Sequence, residues 1–288
     1  MTGAPQWYRP GCGDGATGEE DDVAGQHYPG PGLPLYLTEV GRAFADYGLY
    51  LAARPLLPRL PVGDGHPVLV LPGLMADDVS TVTLRRVLRR LGYRVHGWRL
   101  GRNIGPTRAC VEGMARRIED LGDRYGRPVS LVGQSLGGIF ARDLARKTPD
   151  AVRQVITLGS PFAMQADTQT RAGRVFDRYA HLHVERRALP LESEATPLTV
   201  PSTSVYSHQD GIVAWQACLD RLSPHSENIA VHASHLGMAH HPAVIYAVTD
   251  RLAQPEGTWR PFRPPLALRP AFPRPDVPRH AFSHSAAA

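Results

Sequence analysis

Residues 128–141, PVSLVGQSLGGIFA, combine the pattern of a buried strand with that of a tight turn into a helix. The first five residues, PVSLV, are mostly apolar and include two valines, which is typical of a short strand buried on both faces. Residues 133–137 then fit G-x-S-x-G, a motif in which a serine lies on a sharp strand-to-helix turn. Glycine is needed two residues before and two after that serine, because a Cβ there would meet neighbouring backbone. We therefore predict that Ser135 is exposed at the carboxyl end of a strand and serves as a nucleophile.

Strand and helix patterns alternate on both sides of this turn. Apolar runs of strand length occur at residues 67–71, 93–98, 152–158, 203–206 and 228–232. Helix-compatible segments lie between most of them, and one shows a buried face at i, i+3, i+4 and i+7, formed by Leu84, Val87, Leu88 and Leu91. This alternation predicts an α/β fold with a doubly wound, mostly parallel sheet. Functional residues should then gather at the carboxyl ends of the strands.

We expect one domain at residues 34–254 with a tail on each side. Residues 1–33 are rich in Gly, Pro, Asp and Glu, which favours a disordered N-terminal tail. Residues 255–288 are rich in Pro and Arg and show no periodicity, which favours an extended or disordered C-terminal tail. The domain should begin with a helix from residue 35 to about residue 54, which carries along one side Leu37, Val40, Gly41 and Phe44.

The alternation lapses at about residues 160–200, where some forty residues separate two predicted strands, which is longer than an ordinary connection. One helix-like run, residues 170–182, lies within this insertion. We interpret the insertion as a short helical cap over the active site, and a surface excursion is the alternative. Its apolar residues suit a hydrophobic acyl pocket, although core packing explains them equally well: Phe162, Met164, Val175 and Phe176.

A serine hydroxyl needs a base to take its proton and an acid to orient that base. After a turn of this kind, the acid and then the histidine follow in the chain, each behind a later strand. Asp210 follows the predicted strand at residues 203–206, and His235 follows the one at residues 228–232. We therefore predict Asp210 as the acid and His235 as the base. The alternative for Asp210 is that it only caps the next helix.

Other residues compete for both roles. The competing bases are His208, His232, His240 and His241, and the competing acids are Asp143, Asp167 and Asp177. His208 is close enough to Asp210 in sequence to shape the same loop. His240 and His241 adjoin Pro242, where the last helix should begin.

A tetrahedral intermediate on Ser135 also needs hydrogen-bond donors for its oxyanion. One expected donor is the backbone N–H of Leu136, directly after the serine. The other is the N–H of Leu74, in the loop after the strand at residues 67–71. Both are backbone groups, so side-chain substitution would test them poorly.

Composition excludes several classes of function. The net charge of +5 comes almost wholly from arginine, since Lys147 is the only lysine. No basic stripe with interleaved aromatic residues occurs, so nucleic-acid binding is not expected. Cys12, Cys110 and Cys218 cannot form a full disulfide set, and none belongs to a CxxC metal pattern, so we expect reduced thiols.

The sequence predicts no integral membrane segment. The longest apolar stretch, residues 47–60, is interrupted by Arg54, Pro55 and Pro58 and is too short to span a bilayer. The first residues, MTGAPQWYRPGCGDG, lack the basic and apolar regions of a signal peptide. We therefore expect a cytoplasmic protein, and the sequence does not indicate its oligomeric state.

Five segments carry a resemblance to a known superfamily: LPGL at residues 71–74, GQSLG at 133–137, GSP at 159–161, DGIV at 210–213 and SHLG at 234–237. In this order they resemble the oxyanion turn, the nucleophile turn, a strand end, the acid loop and the base loop of the α/β-hydrolase superfamily, lipase and esterase branch. The likeness runs over about residues 66–253. One departure is Pro72, where that branch usually has a structural histidine; it leaves catalysis unaffected but lets the shape of that loop differ.

The resemblance implies a serine hydrolase that cleaves a carboxylic ester, from a small molecule or a lipid, with neither a metal nor an organic cofactor. Two alternatives remain open. One is an acyltransferase that passes the same acyl group to an alcohol other than water. The other is a non-catalytic binding module that keeps the fold, although the Ser, Asp and His candidates argue against it.

Overall fold

The computed structural model of the protein describes residues 28–164, 169–184, 197–221 and 223–277. Within these ranges six parallel strands form one sheet: β1 (Pro67–Leu71), β2 (Arg94–Gly97), β3 (Val129–Gln134), β4 (Val152–Leu158), β5 (Ser202–Ser207) and β6 (Ser226–Val231). Their order across the sheet is β2-β1-β3-β4-β5-β6. The predicted parallel sheet is therefore confirmed.

Helices cover both faces of this sheet. They are α1 (Leu33–Ala53), α2 (Val82–Arg90), α3 (Arg108–Tyr125), α4 (Leu136–Lys147), α5 (Gly173–Arg178) and α6 (Pro242–Leu252). Successive side chains of a strand point to opposite faces. In β1, Val70 belongs to a core that includes residues of α2 and α6, whereas Leu71 belongs to a core that includes residues of α3 and α4. The sheet is thus doubly wound, which explains why every residue of β1, β3, β4, β5 and β6 is buried.

Short-range signals explain where several elements begin and end. The Thr107 side chain accepts a hydrogen bond from the N–H of Cys110 at the start of α3. Gly126 ends that helix in the left-handed conformation, with φ of 59°. The His241 side chain caps α6 by accepting from the N–H of Ala243. Such local contacts are the reason that these boundaries can be recognised in the sequence.

The insertion expected at residues 160–200 is described in part, because residues 165–168 and 185–196 lie outside the described ranges. Its helix-like run forms α5 and then a 3₁₀ turn at Ala180–Leu182, rather than one continuous helix. Isolated β-bridges join it to the domain and pair Thr107 with His183 and Thr170 with Val213. Because Thr107 and Val213 both follow the carboxyl ends of strands, the bridges hold the insertion at that edge of the sheet.

Helix α1 forms where the sequence predicts a helix, but the apolar side of α1 faces outward. Leu37, Val40 and Phe44 are 71%, 59% and 74% exposed. The side chains that α1 buries against the rest of the protein include two carboxylates, Glu39 and Asp46. Apolar spacing therefore misidentifies the buried face of this helix, because polar contacts decide it.

The structure differs from the expected C-terminal tail over residues 255–277, which pack against the domain. Phe272 is 9% exposed and belongs to the core on the α6 side of the sheet, with the ring centroid of Phe262 at 4.9 Å. The carboxylate of Asp276 accepts a hydrogen bond from the Tyr206 hydroxyl over 2.8 Å. The folded domain thus extends beyond residue 254. Aromatic side chains between the prolines pack against the core, and the overall Pro- and Arg-rich composition gives no sign of this packing.

The N-terminal tail expected at residues 1–33 stays a prediction. Residues 1–27, which include Cys12, lie outside the described ranges. Residues 28–32 lead into α1, which begins at Leu33. The two described cysteines, Cys110 and Cys218, are free and buried.

Within the described ranges, no helix has both the length and the apolar character that a membrane span requires. In the same ranges, no group of three or more His, Cys, Asp or Glu side chains is arranged to hold a metal ion.

Replacing Phe272 with alanine should destabilise the protein, because this side chain fills part of the core next to α6. Truncation of a buried phenylalanine costs about 3–5 kcal/mol in the free energy of unfolding, and we expect about 3 kcal/mol because Phe272 is slightly exposed. Chemical denaturation measures this loss. Leu266→Ala is the matched control: Leu266 lies in the 3₁₀ helix Leu266–Ala271 of the same segment and is 74% exposed, so its loss should stay within about 0.5 kcal/mol. Equal effects of the two substitutions would contradict the packing of this segment.

Candidate active site

Ser135 lies on a strained turn between β3 and α4. Its φ of 51° and ψ of −123° form a conformation that residues other than glycine rarely adopt. The Ser135 N–H donates to the carbonyl oxygen of Leu158 over 2.8 Å, and the Ser135 carbonyl accepts from the N–H of Gly138 over 2.9 Å. These hydrogen bonds hold the turn, which presents the serine at the carboxyl end of β3.

Gly133 and Gly137 permit this turn, because neither position has room for a Cβ. A Cβ on Gly133 would overlap the backbone of Gly137 and Gly138. A Cβ on Gly137 would lie 2.5 Å from the carbonyl oxygen of Leu71 in β1. The G-x-S-x-G pattern thus records the close packing of α4 against β3 and β1.

The loop after β1 passes directly beside Ser135. A Cβ built on Gly73 would lie 3.2 Å from the Cβ of Ser135. In the part of the chain that the structure describes, the N–H groups of Leu74 and Leu136 donate to no protein acceptor. For Leu136 the reason is its place as the first residue of α4, where the helix itself offers no acceptor. Both N–H groups are therefore available to an oxygen atom bound next to the serine.

Asn103 holds the loop after β1, a role that the sequence analysis missed. Its side-chain N–H donates to the carbonyl oxygen of Pro72 over 2.8 Å. Its backbone N–H donates to the carbonyl oxygen of Ala76 over 2.8 Å, and its backbone carbonyl oxygen accepts from the N–H of Met75 over 2.7 Å. Asn103 follows β2, which neighbours β1 in the sheet, so its position behind a strand was the available signal.

Asp210 and His235 form a buried hydrogen-bonded pair. The Nδ1 of His235 lies 2.6 Å from the Oδ2 of Asp210, and the Asp210 residue is 3% exposed. The other carboxylate oxygen, Oδ1, accepts from the N–H groups of Ile212 over 2.8 Å and Val213 over 2.7 Å. Because both carboxylate oxygens are occupied, the orientation of Asp210 is fixed and it can orient the imidazole in turn.

The pKa of His235 is raised above its ordinary value of 6.5. Burial by itself lowers the pKa, because it disfavours the charged imidazolium. The charge of Asp210, the hydrogen bond that His235 donates to Asp210 and the charge of Glu39 all raise the pKa and together outweigh burial. His235 is therefore a stronger base than an isolated imidazole.

Gln134 joins the histidine loop to the turn that carries the serine. Its side-chain N–H donates to the carbonyl oxygen of His235 over 2.9 Å. Gln134 directly precedes Ser135 and is the last residue of β3. No signal in the sequence indicates this contact, because the residue before the serine is variable in the G-x-S-x-G pattern.

The competing bases have other partners. The Nε2 of His208 lies 2.8 Å from the Asp276 carboxylate, and the Nε2 of His240 lies 3.2 Å from a carbonyl oxygen of α1. His241 caps α6, and His232 is exposed after β6. The structure thus brings His235, and not these residues, to Asp210.

Two of the competing acids, Asp143 and Asp177, lie on helices and not in the loop after β5. Asp143 forms an ion pair with Lys147 on α4, with 2.6 Å between Oδ2 and Nζ. Asp177 lies in α5, and Asp167 lies outside the described ranges. Among the candidate acids that the structure describes, Asp210 is hydrogen-bonded to a candidate histidine, His235.

A second Ser–His–Asp set occurs at the opposite edge of the sheet. The Oγ of Ser130 lies 2.8 Å from the Nε2 of His66, and the Nδ1 of His66 is hydrogen-bonded to Asp64. Ser130 and His66 are completely buried, and burial lowers the pKa of His66. Asp64 also binds Arg127 and Arg153. We interpret this set as a structural network, because no substrate can reach its serine.

A pocket opens at Ser135, and its walls are almost wholly apolar. The described part of the insertion forms one wall of this pocket through five residues: Met164, Thr170, Ala172, Gly173 and Phe176. The other lining residues are Pro161 at the start of the insertion and four residues of the rest of the domain: Leu74, Ser135, Leu136 and Ile139. The pocket thus brings together three residues of the predicted site, Leu74, Ser135 and Leu136.

No family model matches the chain, and no curated protein matches it. Solved structures do match. Lipase B of Aspergillus fumigatus has a TM-score of 0.53 and 16% identity over 66% of this chain and 52% of the lipase chain. An α/β-hydrolase enzyme called MGS-MChE2, from the metagenome of sediments of the Mar Chica lagoon in Morocco, has a TM-score of 0.49 and 19% identity over 66% of this chain and 90% of its own.

The likeness to the Aspergillus lipase concerns the fold, since the two sequences share 16% identity. Together with the parallel six-stranded sheet and its flanking helices, it confirms the expected architecture. The chain has the α/β-hydrolase fold.

Replacing Asp210 with asparagine should lower the pKa of His235. The substitution removes the negative charge and the charged hydrogen-bond acceptor, both of which raise this pKa. The burial of the imidazole, which lowers the pKa, is left unchanged. An NMR titration of the histidine ring resonances measures the change, with the His235 signal assigned by its loss in His235→Gln. Asp276→Asn is the matched control, because it removes another carboxylate near the same loop, bound to Tyr206 and His208, and should leave the His235 pKa in place. A His235 pKa that stays constant in the Asp210 variant would contradict the electrostatic account.

Proposed function

We propose that the protein is a serine hydrolase that cleaves carboxylic esters. One arrangement supports this proposal: the strained Ser135, the 2.6 Å Asp210–His235 pair and the two available N–H groups of Leu74 and Leu136 all follow the carboxyl ends of strands of one parallel sheet, and the Gln134 side chain links the serine turn to the His235 loop. Each part meets one requirement of acyl transfer, namely a nucleophile, an oriented base and an oxyanion site.

In the acylation step, the Oγ of Ser135 attacks the carbonyl carbon of the ester while His235 takes the hydroxyl proton. The carbonyl oxygen becomes an oxyanion, which the N–H groups of Leu74 and Leu136 stabilise. Asp210 keeps the Nδ1 of His235 protonated, so the Nε2 is free to accept the proton. The tetrahedral intermediate then collapses, and His235 returns the proton to the departing alcohol.

In the deacylation step, water replaces the alcohol. His235 takes a proton from the water as the water oxygen attacks the acyl carbon on Ser135, and the same oxyanion site holds the second tetrahedral intermediate. Collapse of that intermediate breaks the bond to Oγ, and His235 gives its proton back to Ser135. The acid is released and the enzyme returns to its starting state without a cofactor.

The walls of the pocket support an apolar substrate. Ser135 and Thr170 are the polar side chains among the lining residues, so a hydrocarbon group would be removed from water there. The Aspergillus protein that shares the fold is by its name a lipase. We infer that the substrate is a small-molecule or lipid ester with a hydrocarbon acyl group.

Labelling with a fluorophosphonate probe tests the nucleophile. We expect wild-type protein to be labelled and Ser135→Ala to lose the label, because the probe reacts with an activated serine. Ser130→Ala is the matched control, since it removes the serine of the buried Ser–His–Asp set. That variant should keep its labelling and lose about 1 kcal/mol of stability through one hydrogen bond. Absence of labelling in folded wild-type protein would overturn the proposal.

Hydrolysis of p-nitrophenyl esters of increasing chain length tests the substrate class. If the acyl chain enters the apolar pocket, kcat/KM should rise by up to about fourfold for each added CH₂ until the pocket is full, since burial of one CH₂ contributes about 0.8 kcal/mol. Phe176→Ala should flatten this rise, because Phe176 lines the pocket. A rate that is independent of chain length in the wild type would argue against an acyl site in this pocket.

A further inference from the structure

One carboxylate of α1 binds two loops of the site at once. The Oε1 of Glu39 accepts a hydrogen bond from the N–H of Leu236 over 2.8 Å, and its Oε2 accepts from the N–H of Gly211 over 3.0 Å. Leu236 directly follows His235, and Gly211 directly follows Asp210. Glu39 is 1% exposed, so it bridges the backbone behind the acid and the backbone behind the base without competition from water.

A second carboxylate of α1 contacts the other side of the histidine. The Oδ2 of Asp46 accepts from the N–H of Ser234 over 2.9 Å and from the Ser234 hydroxyl over 2.6 Å. Ser234 directly precedes His235. The acid loop fits α1 closely as well, because a Cβ on Gly211 would lie 2.7 Å from the Oε2 of Glu39. Helix α1 therefore touches the backbone on both sides of the histidine.

The negative charge of Glu39 is paired with the guanidinium of Arg42. Arg42 lies 2.7 Å from its Oε2 and binds the carbonyl oxygens of Gln209 and Leu35, so the guanidinium joins α1 to the acid loop as well. Two amides and one guanidinium thus offset the cost of burying this carboxylate.

Two carboxylates raise the pKa of His235. Asp210 belongs to the acid loop, and Glu39 belongs to α1. Burial lowers the pKa of His235, whereas Asp210 from the acid loop and Glu39 from α1 raise it. Arg42 lies against Glu39, and the Asp46 carboxylate is bound to Ser234. The contribution of Glu39 to the base is therefore separable by experiment from the contribution of the rest of α1.

We propose that Glu39 is a positioning residue of the active site, which fixes the backbone behind Asp210 and the backbone behind His235 relative to each other. The proposal rests on the hydrolase function proposed above. If the bridge is lost, the N–H groups of Gly211 and Leu236 lose their acceptor and the acid–base pair loses its fixed geometry. Proton transfer then slows, whereas substrate binding is preserved, because the residues that line the pocket come from elements other than α1.

The substitution Glu39→Gln tests this role. Glutamine keeps the shape of the side chain, but its one oxygen can accept from only one of the two amides, and its charge is gone. We expect kcat per fluorophosphonate-reactive site to fall about tenfold or more, with KM within about twofold of wild type, because a hydrogen bond to a charged group is lost. The acid limb of the kcat/KM profile should move to lower pH, and the pKa of His235 by NMR should fall with it.

Asp46→Asn is the matched control on the same helix. It weakens a second buried carboxylate contact and should lower the stability, but the acid limb and the His235 pKa should stay at their wild-type positions. Glu39→Asp serves if Glu39→Gln does not fold: the shorter side chain keeps the charge but cannot reach both amides at once, so kcat should fall and the acid limb should stay close to its wild-type position.

The outcomes separate this proposal from the proposed function. A wild-type protein that neither labels nor hydrolyses esters overturns the hydrolase function, and a lower His235 pKa in Glu39→Gln would then leave only the electrostatic part of the inference. An active wild type whose Glu39→Gln variant keeps its kcat and its acid limb overturns the positioning role. Equal shifts of the acid limb and equal losses of kcat in Glu39→Gln and Asp46→Asn overturn it as well, since any buried carboxylate of α1 would then have the same effect as the one that bridges the two loops.

Discussion

Close packing of α4 against β3 and β1 is the constraint on which the candidate site depends. It leaves no room for side chains at Gly133 and Gly137, and it holds Ser135 in a conformation that persists only because its surroundings dictate it. Since the strands beneath the turn are buried on both faces, the serine cannot move to meet its partners. The loops after β1, β5 and β6 must instead come to it, and each is held by contacts of its own.

The sequence reveals the parts of this structure that depend on neighbours in the chain. Apolar runs mark the buried strands, and a parallel sheet collects the loops behind them at one edge, so Asp210 and His235 could be named from their place after two strands. The G-x-S-x-G pattern could be recognised because any residue other than glycine at its two ends would clash with nearby backbone. Fold, nucleophile turn and acid–base pair thus follow from short stretches that each carry their own physical signal.

The other features of the site and the fold depend on contacts between residues far apart in the chain. Such contacts produce no periodic pattern in the sequence. Asn103 and Gln134 are ordinary polar residues until their partners are known. Helix α1 shows the limit most clearly, because its apolar side chains point outward and its buried side is chosen by amide partners in the last third of the chain. Phe272 was hidden by the proline and arginine around it. The buried set of Ser130, His66 and Asp64 has the same residue types as the proposed triad, but its serine is completely buried, so residue types alone do not identify a catalytic site.

The position of α1 in the chain has a consequence for how the protein is made. Helix α1 leaves the ribosome before the sheet, but the amides that Glu39 binds lie 172 and 197 residues later. A growing chain can therefore assemble β1 to β4 and the turn at Ser135 while α1 still lacks its docking site. The loop that carries His235 can be fixed to α1 only after residues 234–236 have been made, so these contacts form after all six strands have been synthesised.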